Sequence, residues 1–544
     1  MWARRAGGLL GLSVLAWSVA GPPAARAVED PVLAGIELRP SSDIDFAIAP
    51  PPPAPPVAPG AFRARPAFEP DATGSLASLT PQLPAAPVVI TDADLLCGAI
   101  ELRLADGRSF WPARLPKRER DAIAAHYAAR AFRPLWTAGR DFGPAGLAVA
   151  ARLEAAAEDA LDPADYPTGR SSRGERAGTI ADLADAELKL SAAAALYARD
   201  ARGGRIDPAR LSGLITPKLD LPSAETVLAG LAAAPDAGAA LAAYQPPYPG
   251  YRALRAKLAE IRANRPSQPV ARTPRREAET RVAAVHRIAV LDDVPAAERP
   301  EPLATPFASP RLEGDIVANM ERWRWLPASV APRYLLVNIP EFKLRLFENG
   351  QVAHETRVIT GRPETPTPIL SSLMDHAVVN PSWYIPPSIM KKEILPGLAA
   401  DPGYAERRGY QVIRRGGQIS VRQPPGERNA LGFIKFMFPN GHSVYLHDTP
   451  NRSLFSASRR ALSHGCVRVE QPFQLADFVL GAEWSETRLK KLIGRGERTI
   501  RLPAPMPVHL AYFTTEVDAF GSVRTFEDLY GYNRRVRAAL GLGA

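Results

Sequence analysis

Cysteine is nearly absent from this chain, whose 544 residues include two, Cys97 and Cys466. Two cysteines form at most one disulfide, so a disulfide-rich fold is excluded. The pair leaves two alternatives: a single disulfide, as in many exported proteins, or two free thiols. We favour free thiols, with Cys97 packed near the start of the folded region and Cys466 reactive.

The N-terminus lacks an apolar run long enough to cross a bilayer. Its apolar stretch, residues 9–20, has about 12 residues, whereas a spanning helix needs ~20. Arg4 and Arg5 precede this stretch and Ala25-Arg26-Ala27 follows it, which predicts a signal peptide over residues 1–27. An uncleaved anchor is the alternative. We expect a protein outside the cytoplasm with no stable membrane span after cleavage.

Sequence patterns typical of nucleic-acid binding are also missing. The net charge of +10 and the pI near 9.6 would suit an anionic polymer, a membrane surface or a nucleic acid. The chain has no zinc-finger spacing, no aromatic-rich basic strand and no basic helix followed by heptads. We therefore expect no nucleic-acid partner.

Proline is abundant, with 56 residues, and marks the boundaries between domains. Proline-rich stretches predict disordered linkers over residues 28–87 and 264–313. Residues 88–263 between them are predicted to be a mainly helical scaffold domain. Residues 314–502 are predicted to be a mostly β domain, and residues 503–544 a C-terminal extension. The fold class is therefore α+β multidomain.

Apolar periodicity predicts individual helices in the first domain. Ile123, Tyr127 and Phe132 are spaced like one helix face. A longer alanine-rich helix carries an apolar stripe that includes Leu183 and Leu190, with Glu187 on the opposite, solvent-exposed face. This helix is predicted to end at Gly203-Gly204. The stretch 251–262 predicts a further helix.

Short apolar runs predict strands in the second domain. Asn349-Gly350, between two of these runs, is a hairpin-turn signal. The predicted strands are 334–339, 343–347, 376–379, 411–413, 418–421, 434–437 and 443–446.

Ser463-His464-Gly465-Cys466-Val467-Arg468 is the stretch best suited to chemistry. A cysteine thiol becomes a nucleophile when a base, a cation or oriented N–H groups favour its thiolate. His447 is the candidate base. Gly465 permits a tight turn whose N–H groups can converge on an oxyanion, and Arg468 is placed to pair with a substrate carboxylate.

Two other interpretations of these histidines remain open. His464, with His447 and His442 nearby, could bind zinc, but the spacing fits no common zinc site and no second cysteine is close. His447 alone could be a hydrogen-bonded histidine at the end of a strand. The adjacent cysteine motif favours catalysis, with no metal and no cofactor.

Several motifs together resemble the L,D-transpeptidases, and among them the larger periplasmic members of Gram-negative bacteria. The resemblance covers about residues 314–532, with a weaker likeness over about 116–263. It rests on Tyr445-Leu446-His447-Asp448-Thr449-Pro450, Arg460 to Val469, Asn319 to Trp325, Asn380-Pro381-Ser382-Trp383, Gln423-Pro424-Pro425-Gly426, Pro507 to Tyr512 and Asp528 to Tyr532.

The resemblance implies a catalytic β-sandwich that acts on peptidoglycan stem peptides in the periplasm. On this basis Cys466 is the nucleophile and His447 the general base and acid. The remaining residues implied in oxyanion binding and substrate positioning are Ser463, His464, Gly465, Tyr445 and Arg468. Residues 386–426, with Arg407, Arg408, Arg414 and Arg415, would by analogy form a lid.

The implied reaction joins a donor tetrapeptide to the diamino acid amine of a second stem through a cysteine thioester, giving a 3-3 crosslink. The implied chemistry also includes acylation by a carbapenem. Two alternatives remain open. One is an enzyme with the same chemistry that hydrolyses stem peptides or attaches and releases outer-membrane proteins. The other is a catalytically idle wall-binding scaffold.

Overall fold

The computed structural model describes residues 90–106, 111–169, 178–265 and 310–543. The predicted signal peptide, the first predicted linker and residues 266–309 of the second lie outside the described residues. Within the described part, no helix is both long and apolar enough to span a membrane.

The described residues between positions 90 and 265 are mainly helical, as predicted, and include one long helix. The helices are α1 (Asp92–Asp106), α2 (Lys117–Ala129), α3 (Pro144–Glu154), α4 (Ile180–Gly203), α5 (Ala224–Ala233), α6 (Ala237–Ala242) and α7 (Pro249–Ala263), with the two-residue strands β1 (Thr137–Ala138) and β2 (Asp141–Phe142). Helix α4 begins in a capping box between Thr179 and Asp182 and ends at the predicted Gly203-Gly204 break.

Two details of the helical prediction are wrong. Helix α2 ends at Ala129, and Phe132 lies in the following turn with a positive φ of 56°. Glu187 does not lie on a solvent-exposed face of the helix, because its side chain is fully buried. Its carboxylate accepts hydrogen bonds from Tyr127 Oη and from the backbone N–H groups of Leu135, Trp136 and Thr137. A buried carboxylate needs such donors, and they come from a segment distant in sequence.

The second domain is built on one large sheet. The strands from here to the C-terminus are β3 (Arg333–Asn338), β4 (Lys343–Glu348), β5 (Gln351–Gly361), β6 (Leu370–Val379), β7 (Trp383–Tyr384), β8 (Gln411–Arg415), β9 (Gln418–Gln423), β10 (Ile434–Met437), β11 (Leu446–His447), β12 (Ala461–Ser463), β13 (Val467–Val469), β14 (Arg498–Ala511), β15 (Thr515–Val517) and β16 (Val523–Thr525).

Nine of these strands pair in the order β12-β5-β13-β11-β10-β6-β14-β3-β4. Strand β5 pairs with both β4 and β13, so the sheet closes on itself. Its strands enclose the core between them, as the two layers of a sandwich do. The predicted hairpin between β4 and β5 is confirmed, since Asn349 and Gly350 both have the positive φ that a type I′ turn requires. The strand predicted over 443–446 is shorter and later, at Leu446–His447.

Strand β14 runs through position 502, the predicted end of the domain. Its later residues pair with β3 and β6. The predicted C-terminal extension therefore supplies part of the sheet.

The remaining helices lie at the start, middle and end of this region. They are α8 (Pro310–Trp323), α9 (Pro387–Ile389), α10 (Leu395–Ala400), α11 (Tyr404–Arg407), α12 (Pro472–Val479), α13 (Glu486–Lys490) and α14 (Tyr532–Ala539), with a π-helical turn at Met390–Ile394. Helix α8 begins inside the stretch predicted as linker.

Residues 384–422 form a compact unit of their own. Strands β8 and β9 form an antiparallel hairpin in it. Arg407 pairs with Asp401, and the Arg408 guanidinium lies 4.7 Å from the centre of the Tyr404 ring, while Arg414 and Arg415 are exposed. The role of this segment as a lid stays a prediction.

Glu321 and Arg324, at the end of α8, contact the helical domain. Arg324, 1% exposed, pairs with Glu321 at 3.1 Å, donates to Tyr251 Oη at 3.0 Å and also donates to the carbonyl of Asp159. The other oxygen of Glu321 accepts from the backbone N–H of Ile206 at 2.9 Å. Each buried charge thus has a partner, which compensates for its desolvation.

We expect Arg324→Ala to lower the free energy of unfolding by about 3–5 kcal/mol, because Glu321 would remain buried and unpaired. Urea denaturation followed by circular dichroism measures this change. The control is Arg333→Ala, which removes an exposed ion pair with Glu348 and should cost less than about 1 kcal/mol. Equal effects of the two substitutions would contradict a special role for the buried pair.

Candidate active site

The turn from Ser463 to Cys466 connects β12 to β13 and carries the thiol. Gly465 has a φ of +118°, a backbone conformation that residues other than glycine rarely adopt. Ser463 Oγ accepts from the Gly465 N–H at 3.1 Å and donates to the Cys466 carbonyl at 2.6 Å. Ser463 therefore stabilises the turn, and its hydroxyl is used inside it.

The segment 361–367, which follows β5, holds the turn from outside. The backbone N–H of Arg362 and the hydroxyl of Thr365 both donate to the Ser463 carbonyl, at 3.0 and 3.1 Å. The hydroxyl of Thr367 donates to the Gly465 carbonyl at 2.8 Å. The backbone before Cys466 is thus fixed by partners about 100 residues upstream.

Parallel pairing of β11 with β13 places the predicted base on the same face of the sheet as the thiol. Leu446 lies opposite Val467 and His447 opposite Arg468, and the Val467 N–H donates to the Tyr445 carbonyl at 3.1 Å. Side chains two positions apart on a strand share a face. Tyr445, His447, Cys466 and Arg468 therefore share one face, while Leu446 and Val467 point into the core.

His447 is 4% exposed and its ring orientation is fixed. Its Nδ1–H donates to the carbonyl of Asp448 at 2.5 Å, so Nε2 is the unprotonated nitrogen that can accept a proton. Burial, followed by the nearby positive charge of Arg468, lowers the pKa of His447 to about 3. The imidazole is therefore neutral near pH 7.

Asp448 fixes the backbone that orients His447. Its buried carboxylate accepts from the N–H groups of Phe433 and Thr449, at 2.9 and 2.6 Å, and from Arg452 Nη2 at 2.5 Å. Burial raises the pKa of Asp448. These bonds tie the strand end to the start of β10.

Cys466 is partly buried and its Sγ lies 3.9 Å from the Ser443 carbonyl oxygen. Burial raises the pKa of the thiol to about 11, against the opposing effects of hydrogen bonds from Tyr445 and of the charges of Arg468 and Lys435. The site at rest therefore holds a neutral thiol and a neutral imidazole. The same opposing groups would stabilise a thiolate once the proton leaves.

Two cationic side chains, Lys435 and Arg468, act on the thiol, and Arg362 acts in turn on Arg468. Lys435 lies opposite His447 in the sheet, and its Nζ is 5.7 Å from the centre of the Tyr445 ring. Burial lowers the pKa of Lys435 and of Arg468. Among the described residues, Arg468 and Arg362 have no ion pair with a carboxylate, and the buried Nε of each has no hydrogen-bond partner. The site is suited to an anionic group.

The predicted oxyanion roles of His464 and Gly465 stay predictions. The His464 side chain is exposed, and its Nε2 accepts from Arg362 Nη2 at 2.7 Å. The Gly465 N–H donates to Ser463 Oγ at 3.1 Å. For the Cys466 N–H, the part of the chain that the structure describes offers no acceptor.

The two cysteines are not bonded to each other, and His442 lies beside a threonine. Cys97, on α1, and Cys466 are both free thiols, as favoured above. His442 Nε2 lies 2.8 Å from Thr216 Oγ1. The described ranges contain no group of three or more His, Cys, Asp or Glu side chains arranged to hold a metal ion.

Sequence reasoning missed four residues of this site: Lys435, Asp448, Thr367 and Arg362. Asp448 directly follows His447, and this adjacency could have identified it as part of the site. Lys435 alternates with the core residues Ile434 and Phe436 on a strand that was predicted. No local signal connects Arg362 or Thr367 to a cysteine about 100 residues away.

Two family models match this chain. Residues 332–502 match the L,D-transpeptidase catalytic domain known as YkuD, and residues 121–258 match a domain described as a scaffold domain. The first range contains the whole turn and both paired strands. The resemblance found in the sequence is thus confirmed for the catalytic domain.

One relative is also described as an L,D-transpeptidase. A putative L,D-transpeptidase of Haemophilus influenzae is 37% identical over 244 residues, which are 41% of this chain and 49% of that protein. The match thus spans about half the length of that relative.

Two solved structures are fainter likenesses. They are an L,D-transpeptidase from Mycobacterium smegmatis and L,D-transpeptidase 3 from Mycobacterium tuberculosis with a faropenem-derived adduct. Each is 14% identical with a TM-score of 0.19 over 33% of this chain, covering 58% and 60% of those chains. Likenesses this weak carry no argument.

The raised pKa of Cys466 predicts how its alkylation depends on pH. In the Cys97→Ala protein, where Cys466 is the remaining thiol, the rate with iodoacetamide should rise about tenfold per pH unit from pH 7 to 9, since the thiolate fraction does. The rate should not level off below pH 10. A plateau near pH 7 would instead indicate a thiolate–imidazolium pair at rest.

Proposed function

We propose that this chain, whose residues 332–502 match the L,D-transpeptidase catalytic domain, crosslinks peptidoglycan stem peptides through a thioester on Cys466. One observation carries the proposal: the β11–β13 register sets a thiol, a neutral imidazole and an unpaired guanidinium on one face of the sheet. That arrangement supplies a nucleophile, a proton acceptor and an anion site for acyl transfer.

In the first half-reaction, the Cys466 sulfur attacks the carbonyl carbon of the third stem residue. The thiol proton passes to His447 Nε2 as the S–C bond forms, because neither partner is ionised at rest. The C–N bond to the terminal D-alanine then breaks, and His447 returns the proton to the leaving amine. A thioester and free D-alanine result.

In the second half-reaction, the side-chain amine of a diamino acid in another stem attacks the thioester carbonyl. His447 accepts a proton from that amine, the C–S bond breaks, and the thiolate takes the proton back. The new amide is a 3-3 crosslink. Water in place of the amine would give a shortened stem, which is the hydrolytic alternative.

The cations explain why an anionic peptide is a suitable donor. A carboxylate beside Arg468 would be held by a charge-assisted hydrogen bond. The same carboxylate would offset the charge of Arg468, which lowers the pKa of His447. Substrate binding would therefore make His447 a stronger base at the step that needs one.

Three groups are candidates for stabilising the oxyanion. The Cys466 N–H is available, and Tyr445 Oη, which hydrogen-bonds the sulfur, lies close enough to polarise the same carbonyl. The His464 backbone N–H stays a predicted donor. A periplasmic location stays part of the proposal, supported by the signal-like N-terminus and by the chemistry of the substrate.

Purified tetrapeptide muropeptides test the activity directly. The mature protein should convert them to crosslinked dimers and free D-alanine, detected by mass spectrometry. Cys466→Ala should abolish both products, and His447→Gln should reduce the rate roughly 10²–10⁴-fold, as for loss of a general base. Cys97→Ala is the matched control and should keep full activity.

The products separate the alternatives. Tripeptide monomers without dimers would support hydrolysis instead of crosslinking. Unchanged muropeptides would contradict both enzymatic functions and leave a wall-binding scaffold.

A carbapenem tests the thioester chemistry separately. Its strained β-lactam carbonyl should acylate Cys466, giving a protein mass increased by one carbapenem. The Cys97→Ala protein should show the same adduct and Cys466→Ala none. An adduct that persists in Cys466→Ala would place the reactive group elsewhere.

A further inference from the structure

The Thr367 hydroxyl makes two hydrogen bonds in which its roles as donor and acceptor are fixed by its partners. Its side chain is fully buried, and its hydroxyl accepts from the Gly361 N–H and donates to the Gly465 carbonyl, both at 2.8 Å. An N–H can only donate and a carbonyl can only accept. The single hydroxyl proton of Thr367 is therefore directed at Gly465.

The Gly465 carbonyl and the Cys466 N–H belong to the same peptide unit. In a planar trans peptide the C=O and the N–H point in opposite directions. Holding the carbonyl at Thr367 thus directs the Cys466 N–H to the opposite side, where no described residue accepts it. Glycine tolerates more than one backbone orientation, so position 465 does not itself fix this peptide.

Tyr530 holds Thr367 in turn. Its hydroxyl donates to the Gly361 carbonyl at 2.7 Å and accepts from the Thr367 N–H at 3.3 Å. The Tyr530 ring packs on Tyr512 and Tyr532, with centroids 5.4 and 5.6 Å away. The segment 361–367 is thus clamped between the catalytic turn and the C-terminal part of the chain.

We propose that Thr367 is a positioning residue that orients the Cys466 N–H as an oxyanion donor, with Tyr530 fixing Thr367. The inference rests on the proposed acyl-transfer function and adds to it. It assigns a role to a side chain that touches neither the thiol nor His447 in the contacts described.

Two reactions of the same thiol separate positioning from a general structural effect. Acylation by a carbapenem places negative charge on a carbonyl oxygen and needs the donor, whereas alkylation by iodoacetamide does not. Thr367→Val keeps the shape and removes the hydroxyl. It should slow acylation by about tenfold or more, toward the roughly 10²–10³-fold expected for loss of one oxyanion donor, and change alkylation less than about twofold.

Thr367→Ser restores the hydroxyl and should recover acylation to within a few-fold of the unsubstituted protein. The matched control is Thr356→Val, at a buried threonine on β5 whose hydroxyl has no partner among the described residues; both rates should be unchanged. Tyr530→Phe should show the same selective loss as Thr367→Val, and it carries the test if that variant does not fold.

The outcomes are distinguishable from failure of the proposed function. If the unsubstituted protein is neither acylated nor active on muropeptides, the proposed function itself fails. If that protein reacts normally, unchanged acylation in Thr367→Val overturns the inference. An equal fall in acylation and alkylation also overturns it, since a distorted thiol and not a lost donor would then explain the result.

Discussion

The parallel register between β11 and β13 is the constraint on which the candidate site depends. Leu446 and Val467, fully buried, anchor the two strands in the core from one face. A shift of one residue would exchange the faces, exposing both and burying the polar partners. Hydrophobic burial therefore maintains the register that sets His447 and Cys466 on one face of the sheet.

The same burial determines the resting electrostatics. It raises the pKa of Cys466 and lowers that of His447, so both partners are uncharged at neutral pH. The surrounding cations favour the thiolate but disfavour a protonated imidazole. In the proposed reaction, the thiol stays protonated until an anionic substrate group changes the charge balance near Arg468, so substrate binding and activation are linked.

The parts predictable from the sequence are those with a local cause. Asn349-Gly350 specifies its turn through backbone conformation, and Gly203-Gly204 ends its helix for the same reason. Cys466 and His447 were identifiable from their motif. Glu187 was misplaced because its partners lie some 50 residues upstream on a separate segment, and Thr367 and Lys435 were missed because only the closed sheet brings them to the turn.

The C-terminal part of the chain completes the sheet beyond position 502, where the predicted catalytic domain ends. Strand β14 continues past that position and pairs on both sides, with β3 and β6, so the sheet closes only with residues that follow the boundary. Beyond it, Tyr530 reaches back to Gly361 and Thr367. The segment that completes the core therefore also supports the backbone before Cys466. Stability of the sheet and orientation of the turn before Cys466 consequently depend on the same C-terminal residues.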